Sequence, residues 1–474
     1  MIQITVTTFL LFAAVYQPSV LAPPNLPQLP SNLPQLHSAN SSVPTYLGGD
    51  HCNFTPTVSG SKFSAHGYIN VIKTKWKNSA EVIQEILKRI TGKGVPTVNV
   101  TVNIPTPTVN VPPSVPISWD QFKKEYTDRV YSSPAEETLR KKIFEQNLRV
   151  IHEKNYLNTI NLQSSKLEIT SLADLTKEEY ERRSTGSLPF HPPAGEHFSN
   201  KHSRKIPEVK LKDQLNWALE GYVGKVRDQG NCGSCWAHVA SAMLEALHMR
   251  ATGKFLRFSP QYVMECYDIF DKWKLSKVNT ENGCDGGDIN TVTNLAIEHG
   301  IALDSSYPYT WFSYLFGQTG MCNDDKRKCV VKLNVQKTPG KDAIVPVHPV
   351  GDELALKRAV FKYGPIAVIV HSSLDSFKHY GRTVYADVDC KSNKPDHGML
   401  LIGYGTDEVD GDFWLLLNSW GTFWGWNGIM KMSAMWENKP DHMKKGVEKI
   451  NKGNMCGIAS HAYHQTIFQD WETF

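Results

Sequence analysis

The chain has 474 residues, 41% hydrophobic and 21% charged. That is room for two to four domains, and it excludes wholesale disorder and a multi-span membrane protein. Lys+Arg 51 against Asp+Glu 47 leaves only +4, too balanced for a nucleic-acid binder. Nine cysteines are an odd count, so pairing all of them within the chain leaves one thiol over.

The first apolar run, Ile4 to Val15, is followed by Gln17-Pro18 and a small-residue site at Ala22. It is too short for a span of about 20 apolar residues and reads as a signal peptide over 1–22, with a buried N-terminal strand as the alternative. No Lys or Arg precedes the run. Sequons at Asn40, Asn53 and Asn99 agree with secretion and mark candidate glycosylation sites. An N-terminal extension over 23–116 follows. Its Pro-rich tract from Pro23 to Pro44 repeats Asn-Leu-Pro-Gln-Leu, and 45–94 holds a short helical stretch around Ala80–Leu87 in a module of unassigned role. Val95 to Pro116 reads as a second linker or as an edge strand.

From Ile117 to about Arg183 the pattern is helical and charged. Pro134 stands where a helix begins, and Leu139, Ile143, Leu148 and Ile151 supply its apolar face. His191 to Lys212 is rich in Pro and basic residues, including Lys201, Arg204, Lys205, Lys210 and Lys212, as expected of a linker open to processing. Beyond it, Cys235 to Gly253 reads as a helix with Trp236, Ala240, Met243, Leu244 and Leu247 on one face. After Gly364-Pro365 come the β-type runs Ile366–Val370, Met399–Gly403 and Phe413–Leu417. A helical half and a strand-rich half imply two lobes with a cleft between them.

Chemistry concentrates in Gln229-Gly230-Asn231-Cys232-Gly233-Ser234-Cys235-Trp236. Cys235 stands in a first helical turn, where unpaired N–H groups and the helix dipole favour a thiolate. A thiolate needs an imidazole to complete it as a nucleophile. Cys232 and Cys235 also form a Cys-x-x-Cys, but no second pair for zinc and no thioredoxin-like strand accompany it.

Cys232 to Trp236 resembles the papain-like cysteine proteases, whose nucleophile falls on Cys235 and whose oxyanion-hole glutamine falls on Gln229. Asp396-His397-Gly398 resembles that family's histidine motif and Asn418-Ser419-Trp420-Gly421 its asparagine motif. The resemblance implies His397 as base and acid, Asn418 as the group fixing its tautomer, and Trp420 as a shield from water. Both motifs lie farther from Cys235 than the roughly 130–150 residues usual for the family, which implies loop insertions. Cys284-Asp285-Gly286-Gly287 resembles the segment beside bound peptide, so Gly286, Gly287, Asp288, Ile289, Gly398 and His461 are expected to line substrate pockets. Glu136, Arg140, Phe144, Asn147, Ile151 and Asn155 reproduce the interspersed helix motif of cathepsin L-like propeptides. Of a second propeptide motif only Asp174 remains. His238 stands where the family has Phe and is expected to pack in the interior.

The resemblance implies an α+β, papain-like two-lobe fold, with a helical lobe and a β-barrel-like lobe behind a helical propeptide. It implies an inhibitory propeptide over 117–206, a peptidase over 207–474 and processing near Ile206–Lys212. The expected activity is a cysteine endopeptidase made as a zymogen, with a catalytically inactive binding or matrix protein as the alternative. Expected partners are protein or peptide substrates, the chain's own propeptide and cystatin-like inhibitors, with no nucleic acid, membrane span, metal or cofactor. Location is expected to be secreted or lysosomal. Implied bridges are Cys232–Cys284, Cys266–Cys322 and Cys390–Cys456, with Cys235 outside them. Cys52 and Cys329 either pair with each other, or Cys329 replaces Cys322.

Overall fold

A computed structural model describes residues 46–47, 117–126, 131–160, 162–186, 209–270, 283–323, 330–333 and 343–465. The expected signal peptide, the three sequons, Cys52 and Cys329 lie outside the described residues.

The first three described helices are α1 (Trp119–Glu125), α2 (Pro134–Ile160) and α3 (Lys177–Ser184). Ser118 caps α1 by accepting from Gln121 N, and Thr176 with Glu179 forms a reciprocal capping box on α3. Trp119 and Phe122 of α1 meet Phe144 of α2 at ring separations of 5.5 and 4.6 Å, a small aromatic core closed by Ala173. Leu139, expected on the buried face of α2, is exposed instead, while Ile143 and Ile151 are buried. The aromatic core sits over only part of the helix, and Leu139 falls beyond its edge.

The helical lobe holds α4 (Cys235–Thr252), α5 (Pro260–Phe270) and α6 (Ile289–His299), followed by the short α7 (Trp311–Phe316). Gly253 ends α4 in the left-handed region, where a residue without Cβ carries no steric cost. Residues 235–248 of α4 are buried on every side rather than along one stripe. The reason is position: α4 packs on α5 and α6 in its own lobe and on the sheet of the other.

That sheet has eight strands. Its members are β2 (Leu215–Asn216), β5 (Ile344–Pro346), β6 (Ile366–Val370), β7 (Val384–Tyr385), β8 (His397–Asp407), β9 (Gly411–Leu417), β10 (Ile429–Ser433) and β11 (Ala462–Gln465). The path runs β5-β11-β6-β8-β9-β10-β7, with β2 on β8; among the described residues it does not close into a barrel. A second sheet joins β1 (Tyr46–Leu47), β4 (Val330–Val331) and β3 (Ile301–Ala302) in the order β1-β4-β3. All five residues of β6 are buried, as suits a central strand read as a continuous apolar run. Two further helices, α8 (Glu353–Tyr363) and α9 (Asp375–Lys378), lie within this half. No helix among the described residues is long and apolar enough to cross a membrane.

Among the described residues three disulfides staple the chain: Cys232–Cys284, Cys266–Cys322 and Cys390–Cys456. Cys266 therefore takes Cys322, and Cys329 does not replace it. Among the described residues Cys235 alone stands outside a bridge.

Candidate active site

Two elements from opposite lobes converge here. Cys235 is the first residue of α4, and His397 is the first residue of β8. Asn418 directly follows β9, and the antiparallel register Leu400↔Leu417 carries it back to the His397 end of the sheet. The hairpin thus brings together two residues that are distant along the chain.

The imidazole Nε2 lies 2.8 Å from Asn418 Oδ1. That oxygen can only accept, and it also accepts from Ser419 N at 2.8 Å. Nε2 must then carry a proton, so in the neutral ring the basic nitrogen is Nδ1. Burial works against a charged ring, but the Cys235 sulfur, by charge and hydrogen bond, Asn418 and Asp396 outweigh it. Together they raise His397 above the ordinary imidazole range. Trp420 lies over the imidazole at 4.6 Å and is itself enclosed by Phe377 at 5.8 Å and Trp424 at 5.0 Å. His397, Trp420 and Trp424 have no exposed surface, so the Asn418 bond is kept dry.

Gln229 is held across the lobes. Its backbone N–H donates to Ser419 O at 2.9 Å, and Ser419 Oγ donates to its side-chain Oε1 at 2.6 Å. With Oε1 taken, Nε2 points the other way and donates to Cys232 O at 2.7 Å and Arg183 O at 2.8 Å. Arg183 belongs to the segment that precedes the peptidase region, so that segment lies over the site. Gly186 continues the same path: its N–H donates to Asp396 O at 3.1 Å, and its carbonyl accepts from Gly287 N at 3.0 Å. A Cβ on Gly186 would lie 2.0 Å from Gly233 O, so only glycine fits between the two walls. Tyr180 anchors the segment by meeting Trp420 edge-on at 5.6 Å and donating to Ser372 O at 2.5 Å.

The other expected pocket residues divide. Gly286 and Gly287 line the path of Gly186; a Cβ on Gly287 would strike the Trp236 ring at 2.5 Å. Asp288 instead caps α6, its carboxylate accepting from Asn290 N and Thr291 N. Ile289 is buried in the helical-lobe core. Gly398 pairs with Ile369 in the sheet, and His461 O accepts from Ile369 N at 2.9 Å. His238 is buried, with Nδ1 3.0 Å from Ser234 O and its ring edge-on to Tyr309 at 4.9 Å. Burial and the nearby Arg227 push its pKa down to about 3, so a neutral ring lies beside the Cys235 turn.

Every residue of the interspersed motif has a physical task. Arg140 reaches Glu179 through two bonds of 2.6 and 2.9 Å, and Glu136 holds Ser132. Asn147 Nδ2 donates to Ala173 O at 2.6 Å and Leu175 O at 3.0 Å; Asn155 exchanges two 2.8 Å bonds with Leu167. Phe144 and Ile151 supply the buried surface. These side chains fasten residues 167–179 along α2 and so aim α3 at the cleft.

Sequence reasoning passed over Ser419, Asp228 and Asp396. Ser419 and Asp396 adjoin Asn418 and His397 in their motifs, which was signal enough to notice them. The Asp396 carboxylate accepts from Ser372 N at 2.7 Å and Ser373 Oγ at 2.6 Å, holding the turn before α9.

Residues 211–466 match the papain family cysteine protease model, and residues 119–180 match the cathepsin propeptide inhibitor domain. The chain is 30% identical over 365 residues to a cathepsin L-like peptidase of Aedes aegypti, covering 74% of this chain and 92% of that one. It is 32% identical over 346 residues to cathepsin K of Mus musculus, covering 73% and 91%. Among solved structures, digestive procathepsin L 3 of Tenebrio molitor larval midgut superimposes with a TM-score of 0.55 at 27% identity, covering 73% and 97%. The proform of the Amb a 11 cysteine protease, a ragweed pollen allergen, gives 0.55 at 29% identity, covering 75% and 86%. With its helical propeptide region, the chain belongs to the papain family of cysteine proteases.

Proposed function

We propose that the protein is a secreted or lysosomal cysteine endopeptidase, held as a zymogen by residues 117–206 and acting through Cys235, His397 and Asn418. One observation carries this reading: the Asn418-bonded imidazole of His397 interacts with the Cys235 sulfur at the start of α4. The helix terminus and the imidazolium both favour the thiolate.

The thiolate attacks a peptide carbonyl carbon, and the new oxyanion takes hydrogen bonds from Gln229 Nε2 and the Cys235 backbone N–H. The intermediate collapses, the C–N bond breaks, and His397 gives its proton to the departing amine. A water then loses its proton to His397 and adds to the thioester. The C–S bond breaks, which releases the acid and restores the thiolate–imidazolium pair.

In the zymogen the Gln229 amide is occupied by Arg183 O, which supports direct obstruction by the propeptide. The segment passes from Tyr180 beside Trp420 to Gly186 beside Gly287. A substrate with its acyl side on Gly286–Gly287 and its leaving side toward Trp420 runs the opposite way. The propeptide therefore presents its peptide bonds reversed to the nucleophile. Removal follows cleavage near Ile206–Lys212. No His-His pair occurs in the insertions between Cys266 and Cys329 to plug one end of the cleft, which favours endopeptidase action.

Cys235→Ala tests the reading. The variant is expected to fold, to remain full-length at acid pH and to hydrolyse no dipeptidyl fluorogenic substrate. Turnover equal to the unsubstituted protein would overturn it.

A further inference from the structure

The propeptide leaves behind more than an open cleft. Arg183 Nη2 donates to Asp228 Oδ1 at 2.5 Å, and the Arg183 side chain is only 3% exposed while that of Asp228 is 25% exposed. Asp228 is held by the peptidase region itself. Its Oδ1 accepts from Gly230 N at 3.0 Å, and Tyr314 Oη donates to Oδ2 at 3.4 Å. Gly421 leaves room for the carboxylate, since a Cβ there would lie 2.8 Å from Oδ2. Arg227, the neighbour in sequence, points elsewhere: its Nη2 donates to Glu245 Oε1 at 2.5 Å and to Phe258 O at 2.7 Å. Among the described residues Arg183 is thus the cation that neutralises Asp228. Loss of the propeptide leaves a positioned carboxylate without its counter-ion.

The place of that carboxylate along the cleft follows from the backbone. Arg183 O takes a bond from Gln229 Nε2, so the residue carrying the guanidinium lies at the oxyanion position. Its side chain reaches Asp228, whose backbone bridges Trp420. That is the leaving side.

We infer that Asp228 selects peptides with Arg or Lys as the first residue after the scissile bond, and that Arg183 is a built-in mimic of that residue. A guanidinium suits this half-buried site better than an ammonium, because it is more weakly hydrated and gives up less solvation on leaving water. The inference rests on the peptidase reading above.

The test uses full-length protein processed at acid pH and internally quenched peptides that differ only at the first leaving-side residue: Arg, Lys, Ala or Glu. The expected order of kcat/KM is Arg, Lys, Ala, Glu, with Arg about tenfold above Ala and the ratio shrinking as salt rises. Asp228→Asn should bring the Arg-to-Ala ratio to within about twofold of one, and Asp228→Glu, which keeps the charge, should retain a preference. If every peptide is cleaved at similar rates by the unsubstituted enzyme, Asp228 is not a selector and the inference fails alone. If none is cleaved, the peptidase reading fails.

Discussion

His397 shows how one hydrogen bond sets a proton's position. Asn418 Oδ1 has no proton to give, so it keeps Nε2 protonated and leaves Nδ1 for the thiol. Asn418→Ala removes that constraint, and kcat is expected to fall on the order of 10²-fold with little change in KM. Turnover within twofold of the parent would contradict this. The same bond helps raise His397, so the sign of the pH effect follows. In the proposed mechanism the reactive thiolate–imidazolium pair exists while the ring is charged and is lost as pH rises through the elevated His397 value. The alkaline limb of kcat/KM is expected above the ordinary imidazole value of about 6.5 and should move down in Asn418→Ala. A limb that stays fixed would separate it from His397.

At the scale of elements, α2 and α3 of the propeptide are clamped together by charge. Burial opposes ionisation of Glu179, but its bidentate bond from Arg140 prevails and holds its pKa below the ordinary carboxylate range. A depressed carboxylate stabilises the fold above its unfolded value, and that contribution is lost as pH falls through its folded value. Acid therefore loosens α3. Glu179→Gln removes the ion pair at every pH, so self-processing is expected to begin at higher pH and to run faster at neutrality; an unchanged pH midpoint would contradict the clamp. Arg140 was legible in the sequence because the motif names it, whereas Glu179 carries no motif of its own. The Arg183–Asp228 pair was illegible for a related reason: it joins a helix of the propeptide to a loop of the peptidase, and only the fold brings them together. The strand pairing of β1 with β4 was hidden too, since two residues show no periodicity. The motif-bearing stretches were readable because each keeps its chemistry within a few consecutive residues. Gln229, Cys235, His397 and Asn418 all sit in such stretches.

At the scale of the whole molecule, seven of the nine cysteines resolve among the described residues into three bridges and one thiol at a helix start between two lobes; Cys52 and Cys329 lie outside those residues. Each lobe supplies half of the arrangement, Cys235 from α4 and His397 with Asn418 from the sheet. The propeptide covers it along Tyr180, Arg183 and Gly186. Cys235 is thereby proposed as a latent nucleophile uncovered by propeptide removal. An epoxide-type thiol inhibitor, added to the full-length protein before and after acid processing and mapped by peptide mass spectrometry, tests it most directly. No adduct is expected before processing and one afterwards, on Cys235; an unlabelled Cys235 in the processed protein would contradict its role as the nucleophile.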